Sequence, residues 1–119
     1  MSLSNHEVRA HHPGMSDELH VWVYILRCAD GSYYVGSTKL EPEARVWAHN
    51  EGVVPGYTHG RRPVVLVYAE YFERLTEGFA RERQIKGWTR AKKEALMAQD
   101  WEGLALLARS RATGGTPPA

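Results

Sequence analysis

The run Val21-Trp-Val-Tyr-Ile-Leu-Arg-Cys28 limits the possible folds of this chain more than any other segment. It is β-branched and aromatic on both faces, so it reads as a strand covered from both sides, which belongs in the core. Ala29-Asp-Gly-Ser32 follows, and the tolerance of an Asp-Gly pair for positive φ suits a tight hairpin turn. Tyr33-Tyr-Val-Gly-Ser37 then returns as the partner strand. A hairpin with a fully covered first strand needs further elements on each of its faces.

The rest of the chain supplies them. Glu41-Pro42-Glu43 places a proline and two acids in a first helical turn, and Ala44 to Asn50 continues the helix until Gly52 ends it. The glycine- and proline-rich stretch from Gly52 to Pro63 is a connecting loop, and Val64-Val-Leu-Val-Tyr68 is a third strand. Thr76 is placed to cap a helix reaching Lys86 with Gly87 as its stop, and Thr89 to cap another from Arg90 to Gln99. Trp101, Leu104, Leu107 and Ala108 follow helical spacing, which predicts a last short helix packing an apolar stripe onto the domain. The order gives a mixed α+β class, a small and mainly antiparallel sheet flanked by helices. With 119 residues, 43% of them hydrophobic, the chain can build one core but not two independent ones. The expected organisation is a tail over residues 1–19, a single domain over 20–110 and a second tail over 111–119.

Composition narrows the setting rather than the chemistry. The single cysteine, Cys28, has no partner in the chain, which removes a disulfide framework and a cysteine zinc site and fits a reducing, cytoplasmic compartment. No stretch approaches the roughly 18 uninterrupted apolar residues of a membrane span, and the N-terminus has no signal-peptide core, so no membrane partner is expected. The His11-His12 pair stands alone in the predicted tail and lacks the fixed companions a metal centre needs. The formal net charge of +1 is far from that of a protein that coats duplexes. Basic residues nevertheless crowd the second half, where Arg61, Arg62, Arg81, Arg83, Lys86, Arg90, Lys92 and Lys93 can form a basic face.

Hydrolysis of a phosphodiester needs a base for water, a cation for the phosphate oxygens and usually a metal. Tyr24 and Tyr34 lie across the turn from each other, so both hydroxyls can reach one edge of the sheet; equally, both are ordinary strand aromatics. Gly36 interrupts the return strand, which signals either a bulge or a close approach of other atoms, a ligand phosphate among them. Arg45 and His49 are four apart on the predicted helix and share a face, as a phosphate-binding fork beside a proton carrier or as a solvated pair. Glu82 is a lone acid in the basic segment Arg81-Glu82-Arg83-Gln84-Ile85-Lys86, either paired with its neighbours or a single carboxylate ligand for Mg²⁺.

Together these residues resemble the GIY-YIG nuclease family, in particular its small stand-alone bacterial members, over about Val21 to Leu96. Trp22-Val23-Tyr24 resembles the first name-giving motif and Tyr34-Val35-Gly36 the second, with Trp22 and Val35 as departures from the motif letters. Arg45-x-x-x-His49-Asn50, the loop Tyr57-Thr58-His59-Gly60-Arg61-Arg62-Pro63, and Ala80-Arg81-Glu82 through Ile85-Lys86 follow in family order. Five such motifs in order are far more specific than any one of them. The resemblance implies a three-stranded antiparallel sheet flanked by helices. It also implies that Tyr24 and Tyr34 are the motif tyrosines, one of them the general base, and that Gly36 is the motif glycine. Arg45 would stabilise the pentacoordinate phosphate, His49 would assist proton transfer, and Glu82 would hold a divalent metal, Mg²⁺ or Mn²⁺.

The expected activity is therefore a metal-dependent endonuclease acting on DNA, with RNA as the other polymer to test. Branched, damaged or single-stranded forms are the expected substrates, with a role in DNA repair or recombination. Arg61, Arg62 and Lys86 would grip phosphates without reading sequence, so specificity falls to the domain's own shape or to a further protein partner. The competing reading is a non-catalytic nucleic-acid-binding module that keeps the fold.

Overall fold

The computed structural model describes residues 20–115, with side chains as far as Arg109. The predicted tail over 1–19, its His11-His12 pair and residues 116–119 lie outside the described residues. The apolar run forms β1 (Val21–Arg27), the middle strand of a three-stranded antiparallel sheet in the order β2-β1-β3. Its neighbours are β2 (Tyr33–Thr38) and β3 (Val65–Phe72). The class is the α+β arrangement that the sequence predicts.

Register decides which side chains share a face, because directly paired residues point the same way and neighbours along a strand alternate. Tyr24 pairs with Gly36 on one side and Ala69 on the other, while Val23 pairs with Ser37 and Glu70. The strand is buried on both faces: Val21, Val23 and Ile25 on one, Tyr24 and Leu26 on the other. Full burial of Ile25 and of Leu26 is worth about 1.5–3 kcal/mol each. Helix α1 (Pro42–Asn50), opened by its proline, covers the Tyr24 face, where Val46 packs beside Tyr24, Leu26 and Val64. Helix α2 (Leu75–Lys86) covers the other face, where Gly78 rests against Val21 and Phe72 and Arg81 Nε donates to Glu70 Oε1 at 3.1 Å.

Three local expectations change in the folded chain, and the predicted tight turn takes a definite form. In the hairpin Cys28 N donates to Ser32 O, Gly31 N donates to Cys28 O, and only Gly31 in this turn has positive φ, at 85°. That is a three-residue loop closed by a left-handed glycine. Strand β3 runs four residues beyond Tyr68, since β1 offers pairing partners as far as Val21↔Phe72. Helix α2 begins at Leu75, so Thr76 lies inside its first turn instead of capping it. The predicted stripe on the last helix is only partly covered, as described below.

The contacts divide the chain after Arg83 into two units. The second carries α3 (Arg90–Met97) and α4 (Trp101–Gly115), which pack against each other. Thr89 caps α3 by accepting from Lys92 N, as its position predicts, and Gln99, at φ 57°, turns the chain toward α4. Asp100 Oδ1 accepts from Gly103 N at the start of α4. On α4 the covered line runs through Gly103, Leu104 and Leu107, whereas Trp101 is 57% exposed and Ala108 is exposed. The helix continues to Gly115, so residues 111–115 of the expected second tail are helical.

Candidate active site

Tyr24 stands on the central strand, and its hydroxyl is where α1 meets the sheet. The four-residue spacing on α1 brings both Arg45 and His49 to that oxygen. His49 Nε2 lies 3.0 Å from Tyr24 Oη, and Arg45 Nε donates to the same oxygen at 3.4 Å. His49 is fully buried, and its Nδ1 lies 2.7 Å from Thr58 Oγ1, itself buried. The imidazole is thus held at both nitrogens, and which one carries the proton follows from the tautomer. Tyr34 completes the group: its ring centroid is 6.3 Å from that of Tyr24 and 5.4 Å from that of His49.

Gly36 resolves the choice between bulge and close approach. It pairs in regular register with Tyr24, and a Cβ at this position would lie 2.6 Å from Tyr24 Oη and 2.9 Å from Tyr34 Cε2. The glycine is there because both phenol rings cross over it. The sheet's one irregularity lies elsewhere, in the β1–β3 pairing between Ile25 and Leu26.

Burial sets the proton affinities. It pushes the Tyr24 phenol above its ordinary value; the Arg45 hydrogen bond and charge oppose the rise, while charge at Tyr34 and Glu82 adds to it. Burial also pulls His49 below its ordinary value, with the Arg45 charge acting in the same direction. At neutral pH the pair is therefore a phenol against a neutral imidazole.

Glu82 comes from α2, which covers the face of the sheet opposite Tyr24, and its charge is the smallest of the upward pushes on the Tyr24 phenol. It is half-buried. Next to it, Arg81 is anchored to Glu70, which also accepts from Tyr68 Oη at 3.0 Å, so this turn of α2 is tied to β3. Among the described residues no group of three or more His, Cys, Asp and Glu side chains gathers to hold a metal. A single carboxylate remains as the candidate ligand.

Thr58, in the loop after α1, and Asn50, at the end of that helix, make contacts that the sequence reading did not assign to the site. Thr58 positions the imidazole, and its only signal in the sequence is its place inside the loop motif. Asn50 binds the backbone of Val64 twice, through Val64 N to Oδ1 at 2.7 Å and Nδ2 to Val64 O at 3.0 Å, and so fixes where the loop rejoins the sheet. Arg61 and Arg62 have structural contacts besides any role toward phosphate. Arg61 Nε pairs with Asp30 Oδ2 at 3.0 Å, and Arg62 donates to the carbonyls of His59 and Asn50. Lys86 is exposed at the end of α2, within the second unit.

Comparison with known proteins identifies similar chains. The GIY-YIG catalytic domain matches residues 20–95. A UPF0213 protein of Staphylococcus aureus strain Mu3 is 47% identical over 78 residues, covering 66% of this chain and 94% of the relative. Among solved structures, the solution NMR structure of a UPF0213 protein from Bacillus halodurans is 37% identical, covering 68% of this chain and 85% of that one, with a TM-score of 0.46. A solution NMR structure of a protein from E. faecalis is 36% identical, covering 71% and 90% respectively, with a TM-score of 0.49.

Proposed function

We propose that this chain, which belongs to the GIY-YIG family, is a divalent-metal-dependent endonuclease that hydrolyses phosphodiester bonds in DNA, acting on branched, damaged or single-stranded forms. The observation that carries the reading is the Tyr24 hydroxyl, 3.0 Å from the buried His49 imidazole and touched by Arg45. Base, proton carrier, cation and metal ligand are the parts that phosphodiester hydrolysis requires.

Tyr24 is the general base. Because burial holds its phenol protonated, it must pass that proton to His49 Nε2 as it takes one from the attacking water, and Arg45 stabilises the phenolate in between. Thr58 keeps the imidazole aimed at the phenol while the proton moves. The remaining Arg45 N–H groups face the phosphate, whose oxygens match a guanidinium fork. A half-buried carboxylate fits a hard cation such as Mg²⁺ or Mn²⁺, which keeps most of its waters and needs few protein ligands. Glu82 would hold it, and when bound it supplies positive charge for the phosphate oxygens and leaving group.

The test is a panel of flap, gapped, single-stranded and duplex DNA and RNA, with Mg²⁺, Mn²⁺ or chelator. Metal-dependent cutting is expected, with Tyr24→Phe and Glu82→Ala each lowering the rate by about 10²–10⁴-fold while the circular dichroism spectrum is retained. Variants that cut as well as the parent would refute the assignment. One observation favours a second reading, a non-catalytic nucleic-acid-binding module: the upward push on the Tyr24 phenol works against its use as a base. Binding without cutting on every substrate would select that reading.

A further inference from the structure

From the catalytic pocket toward solvent runs a stack of planar groups that the proposed hydrolysis does not use. Tyr34, beside His49, stacks with Tyr57 at 6.1 Å between centroids and 20° between planes. The Arg61 guanidinium lies over the Tyr57 ring, its Cζ 3.8 Å from the centroid. Arg61 is fixed there by three further contacts. Its Nε donates to Asp30 Oδ2 at 3.0 Å, its Nη1 to Tyr57 O at 2.8 Å, and its carbonyl accepts from Ala29 N at 2.9 Å. Hydrogen bonds from Ser32, and then Arg61 itself, hold the Asp30 carboxyl below its usual range, so the anchor stays charged.

Even so anchored, the Arg61 side chain is 40% exposed and Tyr57 is 42% exposed. Among the described residues Nη2 makes no hydrogen bond. Two of the five guanidinium N–H groups, the one on Nε and one on Nη1, are already engaged within the protein. The guanidinium is thus a flat cationic plane, already ordered before any ligand arrives. Unpaired bases stack on such guanidinium planes, and an ordered plane loses little rotamer freedom in accepting one.

The geometry points to Arg61, backed by Tyr57 and Tyr34, as a shelf on which an unpaired nucleobase flanking the scissile phosphate stacks. The inference rests on the reading that the pocket takes nucleic acid, and it gives that reading a source of selectivity: a base held inside a duplex cannot reach the shelf.

The test measures binding, with chelator present so that nothing is cut, of the full chain to a short single-stranded DNA and to a series carrying one abasic residue at each position in turn. One position is expected to weaken wild-type binding by roughly 5- to 150-fold, the range for stacking a single base. That position should be silent in Arg61→Ala, and also in Arg61→Lys, which keeps the charge but not the plane. A flat scan in the wild type would overturn the proposal. So would an Arg61→Ala variant that weakens every oligonucleotide equally and lowers the salt slope by about one, the mark of a phosphate contact. If Arg61→Ala does not fold, Asp30→Asn, which loosens the Nε anchor alone, must shrink the position-specific effect; an unchanged effect overturns the shelf. Cutting with a flat scan removes the shelf and leaves the nuclease, whereas a position-specific scan without cutting keeps the shelf and removes the nuclease.

Discussion

Gly36→Ala tests how the base is held. The added Cβ would lie 2.6 Å from Tyr24 Oη, 2.8 Å from Tyr24 Cζ and 2.9 Å from Tyr34 Cε2, where ordinary contact begins at 3.4 Å. The Tyr24 ring must therefore withdraw by roughly 0.5–0.8 Å, taking 3.4 Å as the limit of van der Waals contact. The strand beneath it is bonded on both sides, so the ring has to make that movement. A displaced hydroxyl cannot keep both the 3.0 Å contact with His49 and the 3.4 Å contact with Arg45. Overpacking of this kind costs about 1–3 kcal/mol. Replacing a strand glycine returns about 0.5–1 kcal/mol of conformational entropy. The net loss, up to about 2.5 kcal/mol, lowers the melting temperature by about 4–8 °C per kcal/mol in a domain of this size. Cutting should fall further than stability, by about 10²-fold, because misplacing a reacting group by up to an ångström has an effect of that order. A thermal melt followed by circular dichroism gives the first number, and single-turnover cutting well below the melting temperature gives the second. A variant that melts and cuts like the parent would show that the phenol does not lie over Gly36.

Three other outcomes follow from the same contacts. His49 has a folded pKa below 6.5, so as pH falls through 6.5 the unfolded chain takes up a proton that the folded chain refuses. Stability should drop on acidification there, and His49→Gln should flatten that slope; an identical slope in both proteins would refute the buried neutral imidazole. Tyr68 is pushed up to about 12, by burial first and then by the Glu70 carboxylate, so the unfolded chain loses its proton near 10 while the folded chain keeps it. Between pH 10 and 11 stability should fall by up to about 1 kcal/mol more in the parent than in Tyr68→Phe, and by less to the extent that water reaches the phenol; denaturant titrations at both pH values would read the difference. Asn50→Ala leaves both backbone groups of Val64 without their side-chain partner and should cost about 1–3 kcal/mol for each group that water does not reach. Equilibrium denaturation checks this, and a change under about 0.5 kcal/mol would mean that water replaces the amide.

Much of the fold and the centre of the site were legible because they are local. Strand alternation and the Asp-Gly turn fix which tyrosines face each other, and helical spacing puts Arg45 and His49 on one face. Those two periodicities suffice to bring three side chains, Tyr34, Arg45 and His49, to Tyr24 Oη or its ring. Contacts made by the segment from Gly52 to Pro63 were not legible, because a loop has no period and its partners are distant in sequence. Nothing local to Thr58 says that it reaches the imidazole, and nothing local to Arg61 says that Asp30 of the hairpin turn anchors it. The last four residues of β3 were missed for the same reason: they are strand because β1 lies beside them, not because of their own pattern. Glu82 could be singled out as an odd acid in a basic helix, but its place relative to Tyr24 is set by the packing of α2 on the sheet, which has no local signal.

Mounting the phenol on the one strand with neighbours on both sides has a consequence for how the protein tolerates heat and change. Backbone amides there are the last to open, since releasing them means dismantling the entire sheet. The loop from Gly52 to Pro63 and the ends of the helices loosen first. Warming should therefore weaken the grip on substrate before it disturbs the reacting oxygen, and sequence drift in the loop can retune what is held while the chemistry stays where it is.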